Sequence, residues 1–219
     1  MSDIVFDMPA SGPWEVRGGW VVNALIREFI LTREQSAGCV GNLGFESSGF
    51  EQLREIGQPE GRGGYGWAQW TADRREAFLK WCDDNELDWR SDEANYNFLV
   101  HELKTSRKRD LSYVRKTTTL EAAVFTFGYW FERPGGTTKT FLPGYDDRLN
   151  YAQRALAGSQ APASAIPDDH IGNVIAVFNE SSRLLQTLLQ ARGLYKDAID
   201  GDFGPNSYAA LKNYLNTKQ

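Results

Sequence analysis

Cysteine and histidine are nearly absent from this 219-residue chain, with two of each. Cys39 and Cys82 alone make no disulfide framework, so two reduced, buried thiols are expected. His101 and His170 are too few imidazoles for a zinc site, and no metal or cofactor is expected. Positive charge is also short. The formal net charge is −5, and no basic patch marks the chain as a nucleic-acid binder. The run Arg107, Lys108, Arg109 reads as a solvated helix end or loop. No apolar run approaches the roughly eighteen residues of a membrane span. The first segment, MSDIVFDMPASGPW, has acidic residues where a signal peptide carries basic ones. Together these absences predict a soluble protein held in a cytoplasm, without stable membrane association; a monomer is expected, on no residue pattern of its own.

What is present is a substantial apolar fraction, 41%, enough for one ordinary domain and a small one. Val22, Leu25, Ile26, Phe29 and Ile30 recur at helical spacing over residues 20–31. Thr32 with Gln35 reads as a capping box that opens a second helix, with Ala37, Val40 and Leu43 inward and an end near Glu46. Gly41 and Gly44 allow a neighbour to approach closely, and Gly49 is placed to terminate the helix. Glycines at 57, 61, 63, 64 and 66 break the pattern into loops or a short hairpin. Helical spacing resumes at 74–81, 95–103 and 120–131. The fold class expected is mainly α: a helical domain over 1–157 with a small β or irregular segment. Residues 158–169, GSQAPASAIPDD, read as a linker. Residues 170–219 then form a three-helix unit, with Ile171 to Phe178, the Leu184, Leu185, Leu188, Leu189 stripe, and a third helix opening at Pro205.

Chemistry concentrates in two segments. Glu46 lies at the end of the second helix in GNLGFESSGF, and the glycine- and tryptophan-rich GYGWAQW occupies 64–70. A carboxylic acid beside flat aromatic surfaces suits cleavage of a sugar polymer, because pyranose rings stack on aromatics and a glycosidic oxygen needs a proton. Tyr65, Trp67, Gln69 and Trp70 are the candidate substrate contacts. The two tryptophans could equally be core, while an amide beside two indoles needs hydrogen-bond partners that a sugar supplies. Glu132 is the candidate second carboxylate, its competing reading being an ion pair with Arg133 or Arg148. Glu51, Asp73, Asp146 and Asp147 are weaker candidates for holding a water.

GNLGFESSGF, GYGWAQWTADRR, AAVFTFGYWFERP and DDRLNYAQRAL resemble, in that order, the motifs of phage tail-type lysozymes of the lysozyme superfamily. The resemblance spans roughly residues 21–156 and implies a helical lysozyme-like fold with Glu46 as the catalytic acid. LLQTLLQARGLYKDAIDGDFGPNSYAALKNY, residues 184–214, resembles a three-helix peptidoglycan-binding domain. That resemblance implies wall contacts from Gln186, Tyr195, Asp200, Phe203 and Gly204. Asp200 is expected to bond the backbone of its own turn, because the spacing of IDGDFG does not fit a calcium loop. The whole resembles a modular phage endolysin acting on bacterial peptidoglycan. It would cut the β-1,4 bond between N-acetylmuramic acid and N-acetylglucosamine for host lysis, after waiting in the host cytoplasm for release through a holin.

Three rival readings stay open. A lytic transglycosylase would cut the same bond with the sugar's own 6-hydroxyl as nucleophile, and a non-catalytic wall-binding tail protein would share the motifs. A Cys39–His101 amidase or endopeptidase is the weakest, because Cys39 sits among packing residues inside a helix.

Overall fold

The computed structural model describes residues 6–160, 182–200 and 205–216. The chain divides into two compact units, Met1–Gln160 and Ala161–Gln219. The first consists of α1 (Trp14–Phe29), α2 (Arg33–Glu46), α3 (Ala72–Asp84), α4 (Asp92–Lys104), α5 (Lys108–Val114), α6 (Leu120–Phe127) and α7 (Tyr145–Ser159). Among the described residues, strand-like pairing is limited to isolated bridges, two of them in the glycine-rich segment: Arg54 with Tyr65 and Tyr65 with Trp70. The protein is mainly helical, as its patterning predicts.

α2 is the axis of this unit. Every residue from Gln35 to Gly44 is buried, and three glycines make that possible. A Cβ on Gly41 would lie 2.6 Å from the Arg148 carbonyl of α7, one on Gly38 would lie 2.8 Å from the backbone of Ala123 on α6, and one on Gly44 would meet the Trp14 ring of α1 at 2.6 Å. The helix starts on the predicted capping box: the Thr32 hydroxyl accepts from the Gln35 amide at 3.2 Å, and the Gln35 side chain accepts from the Thr32 amide at 3.0 Å.

Its end is equally specific. Ser48, Gly49 and Phe50 all have positive φ, at 50°, 75° and 73°, a costly conformation for two non-glycine residues. Ser47 offsets part of that cost, with Oγ donating to Leu43 O at 2.7 Å and accepting from the Phe50 amide at 3.1 Å. Buried Phe50 then stacks on Trp67, ring centroids 3.9 Å apart. The reversal leaves Glu46 on the last turn of a helix that cannot move without disturbing three neighbours.

Three expectations need correction. Ile30 is not part of the apolar face: α1 ends at Phe29, and Ile30 is a left-handed cap that is 91% exposed. The helix predicted over 120–131 is α-helical only to Phe127, and Gly128–Glu132 widens into a π-turn closed by the Arg133 amide donating to Gly128 O at 2.9 Å. Gly128 is pressed between Leu142 and Asn42, which leaves no room for an ordinary side chain there. Lastly, α7 runs to Ser159, so the first two residues of the expected linker are helical.

In the second unit, residues 182–191 form α8 and Pro205–Asn216 form α9. The helix expected at 171–178, the linker from residue 161 onward, and Phe203 and Gly204 lie outside the described residues. A small core gathers Leu189, Tyr195 and Ala210. Leu184 and Leu188 are exposed instead of completing the stripe, because α8 turns Ser182, Gln186 and Leu189 inward.

Candidate active site

α2 delivers Glu46 and the π-turn delivers Glu132, and the two carboxyls lie within electrostatic range of one another. Their surroundings differ sharply. The Glu46 side chain is 20% exposed and accepts from Arg148 Nη2 at 2.6 Å. Arg148 is itself 1% exposed. Its other donors go to Asn42 Oδ1 and Pro143 O, both at 3.0 Å, and its guanidinium lies 4.3 Å from the centre of the Phe45 ring. Glu46 is thereby held by an arginine that has no alternative position.

Glu132 forms neither of the ion pairs weighed for it. Arg148 binds Glu46, while Arg133 bonds Trp130 O and faces Asp110. The residue as a whole is half-buried, but its Oε1 is buried and has no hydrogen-bond partner. Burial, then the nearby Glu46 charge, push the Glu132 carboxyl up to about 8, against the pull of Arg74 and Arg148. Burial therefore favours the protonated form of Glu132, while Glu46 is the member of the pair that bonds arginine.

The aromatic residues predicted to stack on sugars do something else. Trp67 and Trp70 are both 0% exposed; neither offers a face to a ligand. Trp67 lies against Phe50, and Trp70 packs on Phe78 and Phe98 while its Nε1 donates to Glu102 Oε2 at 2.6 Å. Arg74 grips the same Glu102 with Nε and Nη2, both at 2.9 Å. This buried network reaches the site, because Arg74 Nη1 also donates to the carbonyl of Phe131, next to Glu132. Gln69 spends its amide on Gln52 O and Gly66 O, at 3.0 and 2.9 Å, so it clamps the loop. Buried Tyr65 takes the Gly61 amide on its hydroxyl at 3.1 Å, yet it borders an open pocket of about 540 Å³ with Trp89, Arg90 and Arg54.

A second open pocket, about 490 Å³, lies between α6, the loop after the π-turn, and the start of α7. Phe125, Phe141, Leu142, Gly144, Tyr145, Asp146 and Asp147 line it, and Phe141 is 58% exposed. Gly144 packs directly on the Phe45 ring, which places this aromatic surface next to the residue preceding Glu46. Sequence reasoning missed Asn42, Phe141 and the role of Arg148. One signal was available: Arg148, Ala152, Ala155 and Ser159 keep helical spacing on the buried face of α7, and a buried arginine implies a carboxylate partner.

Cys39 is buried and its thiol is pushed up by burial and by the Glu132 charge, the opposite of what a nucleophile needs. His101 packs between Trp81 and Phe98.

In the second unit, two of the predicted wall contacts are internal. Gln186 is 0% exposed, with Nε2 donating to Asp200 Oδ1 at 2.7 Å and also reaching Tyr195 Oη and Ser207 Oγ, both at 3.2 Å. Tyr195, 5% exposed, donates to Ala198 O. Asp200 remains exposed, its side chain tied to Gln186.

The carboxylate pair sits inside a region, residues 20–157, that matches the model of the phage tail lysozyme family. The chain belongs to that family. It is thus a lysozyme-type enzyme of the glycoside hydrolase kind, with peptidoglycan as its substrate. A comparison with curated proteins found no match.

Proposed function

We propose that the protein cuts the β-1,4 bond between N-acetylmuramic acid and N-acetylglucosamine, with Glu46 as general acid and Glu132 as its partner. The observation that carries this reading is the pair itself: two carboxyls within electrostatic range, Glu46 anchored to Arg148 and Glu132 with a buried, unpartnered Oε1 and a carboxyl pushed up by burial. Sites whose carboxyls are driven apart in proton affinity divide acid and base work between them. Burial and the Glu46 charge favour the protonated form of Glu132. A sugar covering the partly exposed Glu46 strips it of water, which favours its neutral form and draws the proton across. Glu46 then gives that proton to the glycosidic oxygen as the C1–O bond breaks, and Glu132, now an anion, takes a proton from the attacking water. Phe141 and the aromatic wall beside Phe45 replace Trp67 and Trp70 as the proposed stacking surface.

The buried Glu132 Oε1 favours one second reading. A base shielded from bulk water can take its proton from the sugar's 6-hydroxyl, which then closes on C1 as in a lytic transglycosylase. Mass spectrometry of muropeptides released by the wild type separates the two: reducing muramic ends mark hydrolysis, and 1,6-anhydro ends mark intramolecular attack.

The second unit is proposed to anchor the enzyme to the wall, with exposed Asp200 as one contact, held by Gln186, and with Phe203 and Gly204 as further contacts on their sequence alone. A cutter joined to an anchor suits an endolysin that waits in the host cytoplasm and reaches peptidoglycan through a holin. Binding of the whole chain to insoluble peptidoglycan, reduced by substitutions at Asp200, Phe203 or Gly204, is the expected support.

A further inference from the structure

Arg148 is buried and fixed on every side, an expensive arrangement for a charge. The charged and titratable groups facing the pair are Arg148 from α7, Arg74 from α3, Glu102 from α4 and Cys39 from α2. Arg74 spends its fork on Glu102. Arg148 is therefore the cation that bonds a member of the pair directly. Its remaining donors, to Asn42 on α2 and to Pro143, leave Nη2 a single direction.

We propose that Arg148 is a positioning residue that fixes the Glu46 carboxyl and stabilises the negative charge Glu46 acquires when its proton leaves. This rests on the reading of Glu46 and Glu132 as the working pair. As the Glu46 O–H bond breaks and the proton moves to the departing N-acetylglucosamine oxygen, charge develops 2.6 Å from Nη2. The interaction is stronger in the transition state than in the substrate complex in which Glu46 holds the proton, which is the requirement for an effect on kcat. The Arg148 charge also opposes proton binding by Glu132, against the burial that favours it.

The test is the pH–rate profile of the full-length chain on a soluble peptidoglycan fragment, for wild type, Arg148→Met and Arg148→Lys, with melting temperatures at each pH. Arg148→Met is expected to move the limb that reports Glu132 up by roughly one pH unit and to slow the reaction at least about tenfold near pH 6. Arg148→Lys, which keeps the charge and loses the fork, returns that limb to the wild-type position with kcat still low. Should Arg148→Met not fold, Arg148→Gln, a neutral side chain that still donates to Asn42, carries the same readout. A limb that stays in place in the neutral variant, with rate falling only as folded protein falls, overturns the proposal and leaves Arg148 a strut between α2 and α7. A wild type that releases no new glycan ends overturns both this proposal and the reading beneath it; an unmoved limb in a glycan-cleaving enzyme overturns this proposal alone.

Discussion

Glu132 makes a prediction that does not depend on activity. Its carboxyl is pushed up to about 8 by burial and by Glu46, above the value it has in an unfolded chain. A raised carboxyl favours folding fully below the unfolded value, and that contribution is lost as pH rises toward 8. Glu132→Gln, which carries no charge at any pH, should therefore gain melting temperature over the wild type at pH 8 and gain little at pH 4. Equal differences at both pH values would mean that Glu132 is not buried as described. The same variant should lose at least about a hundredfold in rate, the usual size of an acid–base contribution. Phe141→Ala should raise KM about fivefold with kcat little changed, the loss of about 1 kcal/mol of aromatic contact, as steady-state kinetics on soluble glycan fragments would show. At this scale the sequence is most legible for residue type and least for direction. Glu46 and Glu132 can be picked out as candidate carboxylates, but whether an indole faces solvent depends on packing across α3, α4 and the glycine-rich loop. Trp67 and Trp70 turn inward because Phe50, Phe78 and Phe98 offer rings to pack against.

Elements are legible where local chemistry decides them. The Thr32–Gln35 capping box needs only four consecutive residues, and it forms as its spacing predicts. The Ser47 to Phe50 reversal and the π-turn at Gly128–Glu132 are not legible, because each depends on a partner distant in the chain: Trp67 stacking on Phe50, and Leu142 with Asn42 pressing on Gly128. A π-turn adds one residue to a helical turn and re-aims the side chains beyond the insertion, and here the residue at its end is Glu132. The glycines of α2 can be recognised as points of close approach, but not that they face three different helices. Gly41→Ala would force its Cβ against Ala152 and the Arg148 carbonyl. We expect it to cost about 2 kcal/mol and lower the melting temperature by roughly 5 °C. An unchanged melt would show that α2 and α7 are less tightly joined than the structure has them.

As a whole molecule, the chain pairs a catalytic unit, which holds all the residues of the proposed chemistry, with a second unit that has its own small core. Residues 1–160 alone should melt in one cooperative transition and cleave soluble glycan fragments at the full-length rate. On insoluble peptidoglycan, loss of the proposed second attachment should weaken binding about a hundredfold or more, measurable by co-sedimentation. Equal sedimentation of both forms would remove the anchoring role from the second unit. The central claim, that Glu46 and its partner carboxyl cut the glycan strand, is tested most directly by mass spectrometry of the muropeptides released from purified peptidoglycan by the wild type and by Glu46→Gln. The account predicts new muramic-acid ends from the wild type and essentially none from the variant. Free stem peptides from the wild type, or undiminished release by Glu46→Gln, would contradict it.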